Sequence, residues 1–440
     1  MRYSQYLLPL LSCTTSVAAQ TSGTFNALTF NVAGLPPIFN SNEVPGDKTT
    51  NTARMGQLFA QYNFSLIHVQ EDFNYHATLY ANDKHPYRTP TSGGVPFGSG
   101  LNSLSNYEFA AFERIKWNTC STFDSADCLT PKGFTFMRVK IAEGVSIDAY
   151  NLHADAGTTA ADLSARASNL RQVSSHIKSH SAGNVVLVFG DSNTRYTRAG
   201  DIPSVFATEN SMTDAWIKLA KNGVAPLPGT DALVCDKPSP NTTCETVDKV
   251  WYRGSPVVNL QATSFDYVSD MFLQQDGSVL SDHNPVLVDF AWTLSGKWRI
   301  SEAFGGQYGD WYNDLEELAK LDVVGVKEVR LRGAKRVDGV AVTLASAQTF
   351  AHGGMGGTES ALVLQEGEKL VGATVCRGQK DGKARIFFVE LRSSAGRTVS
   401  AGVRTSDCVG KTVEEGWAIA GFVGRDGDEI DMLGFVYAKV

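Results

Sequence analysis

The chain has 440 residues, 42% of them hydrophobic and 19% charged, with a formal net charge of −7. That composition excludes a disordered chain, and the length allows two or three domains. The acidic balance argues against a broad basic face of the kind that binds nucleic acid, though a local basic patch would still fit.

Residues 1–20, MRYSQYLLPLLSCTTSVAAQ, combine one Arg, a short apolar stretch and the small residues Ala18 and Ala19. This is the pattern of a secretory signal peptide cleaved near Ala19 or Gln20. It is too short and polar to span a membrane, and no later segment qualifies. A secreted, extracellular protein is expected. Loss of Cys13 with the leader leaves Cys120, Cys128, Cys235, Cys244, Cys376 and Cys408. Proximity favours the pairs Cys120–Cys128, Cys235–Cys244 and Cys376–Cys408, although other pairings are possible on paper. Zinc binding by these cysteines is disfavoured, because there is no CxxC and no nearby His pair. Asn63 and Asn241 stand in N-x-S/T acceptor sequences, so a glycoprotein is expected.

From residue 21 to 295, strand-like runs alternate with helical ones. FNALTFNV, LIHVQE, SIDAYNLHA, NVVLVFGDS, VDKVWYRG and NPVLVDFAW read as strands. Residues 162–180 place Leu163, Ala167, Leu170, Val173 and Ile177 at helical spacing. Strands interleaved with helices predict an α/β layered domain. The pattern changes near the SGK of 295–297. From 298 to 440, short strands such as VKEVRLRG, VDGVAVTLAS and RIFFVELRS are separated by Gly, Asp and charged turns, which predicts an all-β domain.

Polar residues recur where the apolar strands of the first region end. Asn31 closes LTFN, Glu71 closes LIHVQE, His153 follows DAYNL, and Asp191 and Asn193 follow VVLVFG. Asp248 opens DKVWY, and Asp282 and His283 precede NPVLV. A single such residue is usually a satisfied strand end. A whole set in one layered domain suggests a crevice, because ligands bind at strand ends of layered sheets. Glu71, helped by Asn31, suits a hard, oxygen-ligated cation such as Mg²⁺, or another divalent cation. Histidines beside buried carboxylates can activate water and protonate a leaving oxygen. No G-x-S-x-G is present, which argues against a covalent acyl route. Together these residues predict metal-assisted phosphoester hydrolysis.

FNVAG, VQED, GSGLNSLSNY, NLHADA, GDSN, VDKVWY and SDHNP also stand in the order of the motifs of the endonuclease/exonuclease/phosphatase superfamily, which this region resembles over residues 24–292. The resemblance implies a four-layered α/β sandwich with the site at one edge of two packed sheets. It implies that Glu71 is the principal metal ligand, with Asn31 beside it and Asp282 at the metal or phosphate. It implies that Asp191 and Asn193 orient water and phosphate, that His283 is the catalytic imidazole held by Asp248, and that His153 binds phosphate oxygen or assists the leaving group. GSGLNSLSNYEF is closer to the neutral sphingomyelinases of that superfamily than to its nucleases, although Glu108 stands where a proline is usual. The favoured substrate is therefore a sphingolipid headgroup ester, which would require peripheral contact with a membrane. A secreted deoxyribonuclease-type endonuclease is the runner-up. A catalytically inactive copy acting as a glycan-binding protein is the alternative of another class.

FGGQYGDWYNDL, VDGVAVTL, HGGMGGTE, LQEGEKLVGATV and GRDGDEIDMLGF resemble the jacalin-like lectins over residues 298–440. That resemblance implies a β-prism of three four-stranded sheets that binds glycans. Its G-x-x-x-D sugar loop would here be Gly427, Asp428, Glu429, Ile430 and Asp431, with Gly305–Gly306 alongside.

Overall fold

The computed structural model describes residues 20–38, 44–121 and 127–440. Of the expected leader, residues 1–20, the first 19 lie outside them. The first region is built on two six-stranded sheets. One runs in the order Val258–Tyr267, Val286–Leu294, Ser22–Asn31, Leu66–Gln70, Asn102–Ser105, Tyr87–Arg88. The other runs Phe109–Lys116, Gly133–Ala142, Val145–Leu152, Val185–Asp191, Asp248–Arg253, Thr213–Asp214.

Strand alternation explains why these segments read as nearly unbroken apolar runs. Successive side chains point to opposite faces, and here both faces are covered. In Val185–Asp191, Leu187 and Phe189 pack between the sheets, while Val186 and Val188 face the helix Ala160–His180. In Ser22–Asn31, Phe25 and Ala27 face inward, while Leu28 and Phe30 meet the helix Lys48–Tyr62. The layers are thus helix, sheet, sheet, helix, as the family resemblance implies.

The helix expected over 162–180 spans Ala160–His180, opened by a capping box between Thr159 and Asp162. Its buried stripe differs in part from the one read from sequence. Leu170, Val173 and Ile177 are buried, but so are Ala165, Arg166 and Asn169, whereas Leu163 and Ala167 are only half-buried. Arg166 can be buried because its guanidinium pairs with Asp201 at 2.8 Å.

The C-terminal region wraps three sheets around one core containing Val329, Leu331, Val342, Val375, Leu391, Phe422 and Phe435. Two of the sheets have four strands. The third has five, because the position beside Ile430–Lys439 is filled by two short strands, Trp298–Ile300 and Phe304–Gly305, rather than one. Among the described residues three disulfides are present: Cys120–Cys128, Cys235–Cys244 and Cys376–Cys408. The last joins residues already paired across neighbouring strands.

The two regions share a packed seam. One apolar cluster contains Val185 and Val257 from the first and Trp298, Leu315, Leu318, Val423 and Val436 from the second. Trp311 Nε1 and Asn313 Nδ2 donate to the Ala182 carbonyl at 3.3 and 3.2 Å. The Arg138 guanidinium lies 4.0 Å from the centre of the Trp311 ring.

Phe290 sits where the first core is densest, stacked on Phe25 at 5.1 Å and edge-on to Tyr252 at 5.4 Å. Phe290→Ala should lower the free energy of unfolding by about 3–5 kcal/mol, read from the denaturant midpoint.

Candidate active site

The same alternation that builds the core places the polar residues. Counting by twos from Ala27, Phe189 and Val250, which all face between the sheets, leads to Asn31, Asp191 and Asp248. All three are therefore aimed into the inter-sheet space where the strands run out. Asn31 Nδ2 donates to Asp191 Oδ2 at 3.1 Å and to Glu71 Oε1 at 3.2 Å, joining both sheets. Asp248 stands directly opposite Asp191 in the strand register. Close backbone approach lies behind this edge: a Cβ at Gly190 would stand 2.3 Å from the Leu152 carbonyl oxygen, so only glycine fits before Asp191.

His283 is brought in by the loop before Val286–Leu294. Ser281 Oγ donates to the Asn31 carbonyl at 2.6 Å and accepts from the His283 amide at 3.1 Å, which pins the loop to the strand end. His283 Nδ1 lies 2.8 Å from Asp248 Oδ2, and its Nε2 lies 3.9 Å from Asp191 Oδ2. Burial alone would lower this imidazole, but the charges of Asp248 and Asp191, with Asp282, outweigh it and raise its pKa to about 10.

His153 has the opposite character. It pairs with Asp191 in a parallel bridge and is almost wholly buried. Burial, reinforced by Lys132, lowers its pKa to about 3, so it is a neutral imidazole. Lys132 Nζ lies 3.1 Å from His153 Nε2 and Asp191 Oδ2 lies 3.4 Å from the same nitrogen. Two histidines at one edge thus differ by one proton across the neutral range, a division of labour typical of acid–base sites.

Glu71 follows Leu66–Gln70 with φ of 56°, a left-handed conformation that costs a non-glycine residue energy and is frequent at functional positions. Burial raises its carboxyl, as does the nearby charge of Asp282, against the pull of Lys132 and His283. Asn193 has φ of 51°; its amide N–H donates to Asp191 Oδ1 at 3.0 Å and its Nδ2 to the Ala154 carbonyl at 3.1 Å. All eight residues singled out from the sequence therefore meet at one edge.

Asp191, Asp248 and His283 bring ligand atoms within 4.8 Å of one another. A protonated His283 bonded to Asp248 has no lone pair to offer a metal, so this trio is better suited to moving a proton. The hard oxygen donors Glu71 and Asp282, with Asn31 beside them, fit a divalent cation. Burial first, and the charge of Asp282 with it, raise Glu71, and a cation would relieve this.

Several site residues were not singled out from the sequence. Lys132 is one. Lys48 is another: buried, it donates to the Ala33 and Leu35 carbonyls at 2.8 and 2.7 Å, and burial lowers its pKa against the pull of Glu71 and Asp282. A third group supports the strand end beside Glu71. Asp72 Oδ2 accepts from Asn102 Nδ2 at 2.7 Å and meets His76 Nδ1 at 2.6 Å, while Arg114 donates to Asn102 Oδ1 at 2.7 Å.

Residues 46–237 match Endonuclease/Exonuclease/phosphatase family 2, and residues 301–436 match the Jacalin-like lectin domain. The chain joins an endonuclease/exonuclease/phosphatase domain to a jacalin-like lectin domain. The sphingomyelinase of Mycobacterium tuberculosis is 36% identical over 279 residues, which cover 61% of this chain and 53% of that protein. The chain thus spans about half the length of the curated relatives it matches. Among solved structures, sphingomyelinase C from Streptomyces griseocarneus aligns with 61% of this chain and 99% of its own, at 17% identity and a TM-score of 0.42. A mannose binding jacalin related lectin from Ananas comosus aligns with 32% of this chain and 97% of its own, at 21% identity and a TM-score of 0.28.

In the jacalin-like domain, Gly427, Asp428 and Glu429 form the turn between Trp417–Asp426 and Ile430–Lys439. The Gly306 amide donates to the Asp431 carbonyl at 2.7 Å, so the two expected sugar loops do lie side by side. The carboxylates are already engaged. Glu429 accepts from Lys380 at 2.7 Å and from Arg336, and Asp431 pairs with Arg385 at 2.6 Å. Burial raises the Asp431 carboxyl, against the pull of Arg385.

The His283 value in the metal-free fold, about 10, lies above the ordinary histidine value of ~6.5. Its contribution to stability is therefore fully present below pH ~6.5 and is lost as pH rises toward 10. In metal-free Asp248→Asn, imidazole NMR should show His283 titrating well below its wild-type value, and this alkaline loss of stability should shrink.

Proposed function

We propose that the chain is a secreted, divalent-metal-dependent phosphodiesterase that releases the phosphorylated headgroup of a sphingolipid, and that its lectin domain binds glycans. The observation that carries the phosphodiesterase reading is the convergence of strand ends from two sheets on the Asn31–Glu71–Asp191–His283 edge. The 36% identity to a sphingomyelinase favours lipid over DNA, and the net charge of −7 agrees. Three disulfides fit an oxidising, extracellular compartment.

Glu71 and Asp282, with Asn31 beside them, would hold the cation. When bound, it would polarise a phosphoryl oxygen and draw the His283 pKa down toward the working range. The chain's own residues do the rest. Asp248 fixes the His283 imidazole through Nδ1 and leaves Nε2 facing Asp191, so His283 can take a proton from an attacking water. Asp191 and Asn193 orient that water and the phosphate. Lys132, whose ammonium donates to the neutral His153 at Nε2, and His153 beside it are placed to meet phosphate oxygen and the leaving group. For a lipid substrate, Val234 lines the same depression as Asp248, Asp282 and His283 and is more than half exposed, which supports shallow membrane contact. No helix among the described residues is long and apolar enough to cross a membrane.

Assays on sphingomyelin vesicles and plasmid DNA, each with Mg²⁺ and with chelator, test the reading. Chelator-sensitive headgroup release is expected; chelator-sensitive DNA cleavage without it would make the protein a nuclease. His283→Ala should reduce turnover about 10²–10⁴-fold with an unchanged circular dichroism spectrum; full activity would remove His283 from the mechanism. For the lectin domain, Asp431→Ala should abolish the glycan-array signal of the parent protein. A retained signal would place sugar binding elsewhere.

A further inference from the structure

A second group of metal-ligating side chains lies away from the catalytic edge. Glu113, on Phe109–Lys116, and His176 and His180, near the end of Ala160–His180, bring one ligand atom each within 4.8 Å of one another. The i, i+4 spacing puts both imidazoles on one helix face; their rings stack at 3.7 Å with planes 6° apart, so His180 turns about its Cβ–Cγ bond to bring both in-plane lone pairs to one ion. His176 has its Nδ1 engaged by the Tyr150 hydroxyl at 3.3 Å, while His180 Nδ1 meets the exposed Ser179 Oγ next to it at 2.8 Å, a contact that the turn releases. A hydrogen bond on one ring nitrogen is the usual support for a histidine that ligates metal through the other.

The protonation states agree with that geometry. Burial, helped by His180 and Arg425, lowers His176 to about 3, and burial also lowers His180. Neutral imidazole is the form that binds metal. All three side chains are partly exposed, so an ion has a way in. His180 also closes its helix, where the carbonyl ends favour a cation. Two cations oppose it: Arg425 Nη2 stands 4.0 Å from Glu113 Oε1, with Arg138 close by. Asp148 and Asp310 supply negative charge in the same neighbourhood and offset these cations.

We propose that Glu113, His176 and His180 form a zinc site beside the seam between the two domains. Two imidazoles and one carboxylate, with a fourth position for water, match the ligand preference of Zn²⁺; Mg²⁺ prefers oxygen alone. An ion here links the helix Ala160–His180 to the strand Phe109–Lys116 directly against Arg425 of the lectin domain. It therefore stabilises the face on which that domain rests.

Zinc chloride titrated into the full chain in excess Mg²⁺, against a chromophoric chelator, should reveal one bound ion that persists in His283→Ala. Glu113→Gln and His180→Gln, both part-exposed positions, should each weaken it more than about tenfold. Zinc should also raise the melting temperature of the parent protein and of His283→Ala, but not of these two variants. The site is overturned if no zinc binds, if both variants bind it unchanged, or if only His283→Ala loses it.

Discussion

The hydrogen bond from Asn31 to Asp191 spans the gap between the two sheets, and the geometry of the candidate active site depends on it. It can form only because both side chains fall on the inter-sheet faces of their strands, in phase with Ala27 and with Leu187 and Phe189. A slip of one residue in either strand would turn its polar residue toward a helix and an apolar residue into the site. The apolar core below therefore sets the register, and the register places the chemistry. The cost is a buried polar layer. Thr29, Gln70 and Asn151 bond among themselves beneath the site, with Gln70 Nε2 donating to Asn151 Oδ1 at 2.7 Å.

The edge itself is held against its own preferences. Glu71 and Asn193 both take left-handed backbone, His153 is stripped of its proton by burial, and His283 keeps its proton because carboxylates surround it. The carboxylates around His283 add stability while it stays protonated, whereas the two left-handed residues cost folding free energy, and the rigid sandwich carries that cost. The Ser281 and Asn284 contacts show how. Ser281 ties the His283 loop to the end of Ser22–Asn31. Asn284 accepts from Ser269 at 2.6 Å and donates to the Asp236 carbonyl at 2.9 Å, beside the Cys235–Cys244 loop.

What could be read in the sequence follows from the same physics. Strands with both faces covered leave continuous apolar runs, so the motif-bearing strands and their polar ends were visible. Short or mixed strands were not: Asn102–Ser105 reads NSLS and Phe109–Lys116 reads FAAFERIK, neither with a clean period. Lys132 carries no signal in the sequence because it stands 21 residues before His153 and reaches it only through the pairing of Gly133–Ala142 with Val145–Leu152. Likewise, nothing in GDEID announces that Glu429 and Asp431 are met by Arg336, Lys380 and Arg385 from other strands. Long-range electrostatics is a property of the fold, and a motif records only one partner.

The seam has a consequence for how the two domains would work together. Only Ser295, Gly296 and Lys297 separate the strand Val286–Leu294 from Trp298–Ile300, and one apolar cluster runs through both domains. A connector that short, beside a shared core, leaves little freedom for the lectin domain to swing. Glycan binding would then do more than raise the local concentration of substrate. By fixing the lectin face, it would fix the direction in which the Asp191–His283 edge meets the surface. A flexible tether could supply proximity but not that orientation.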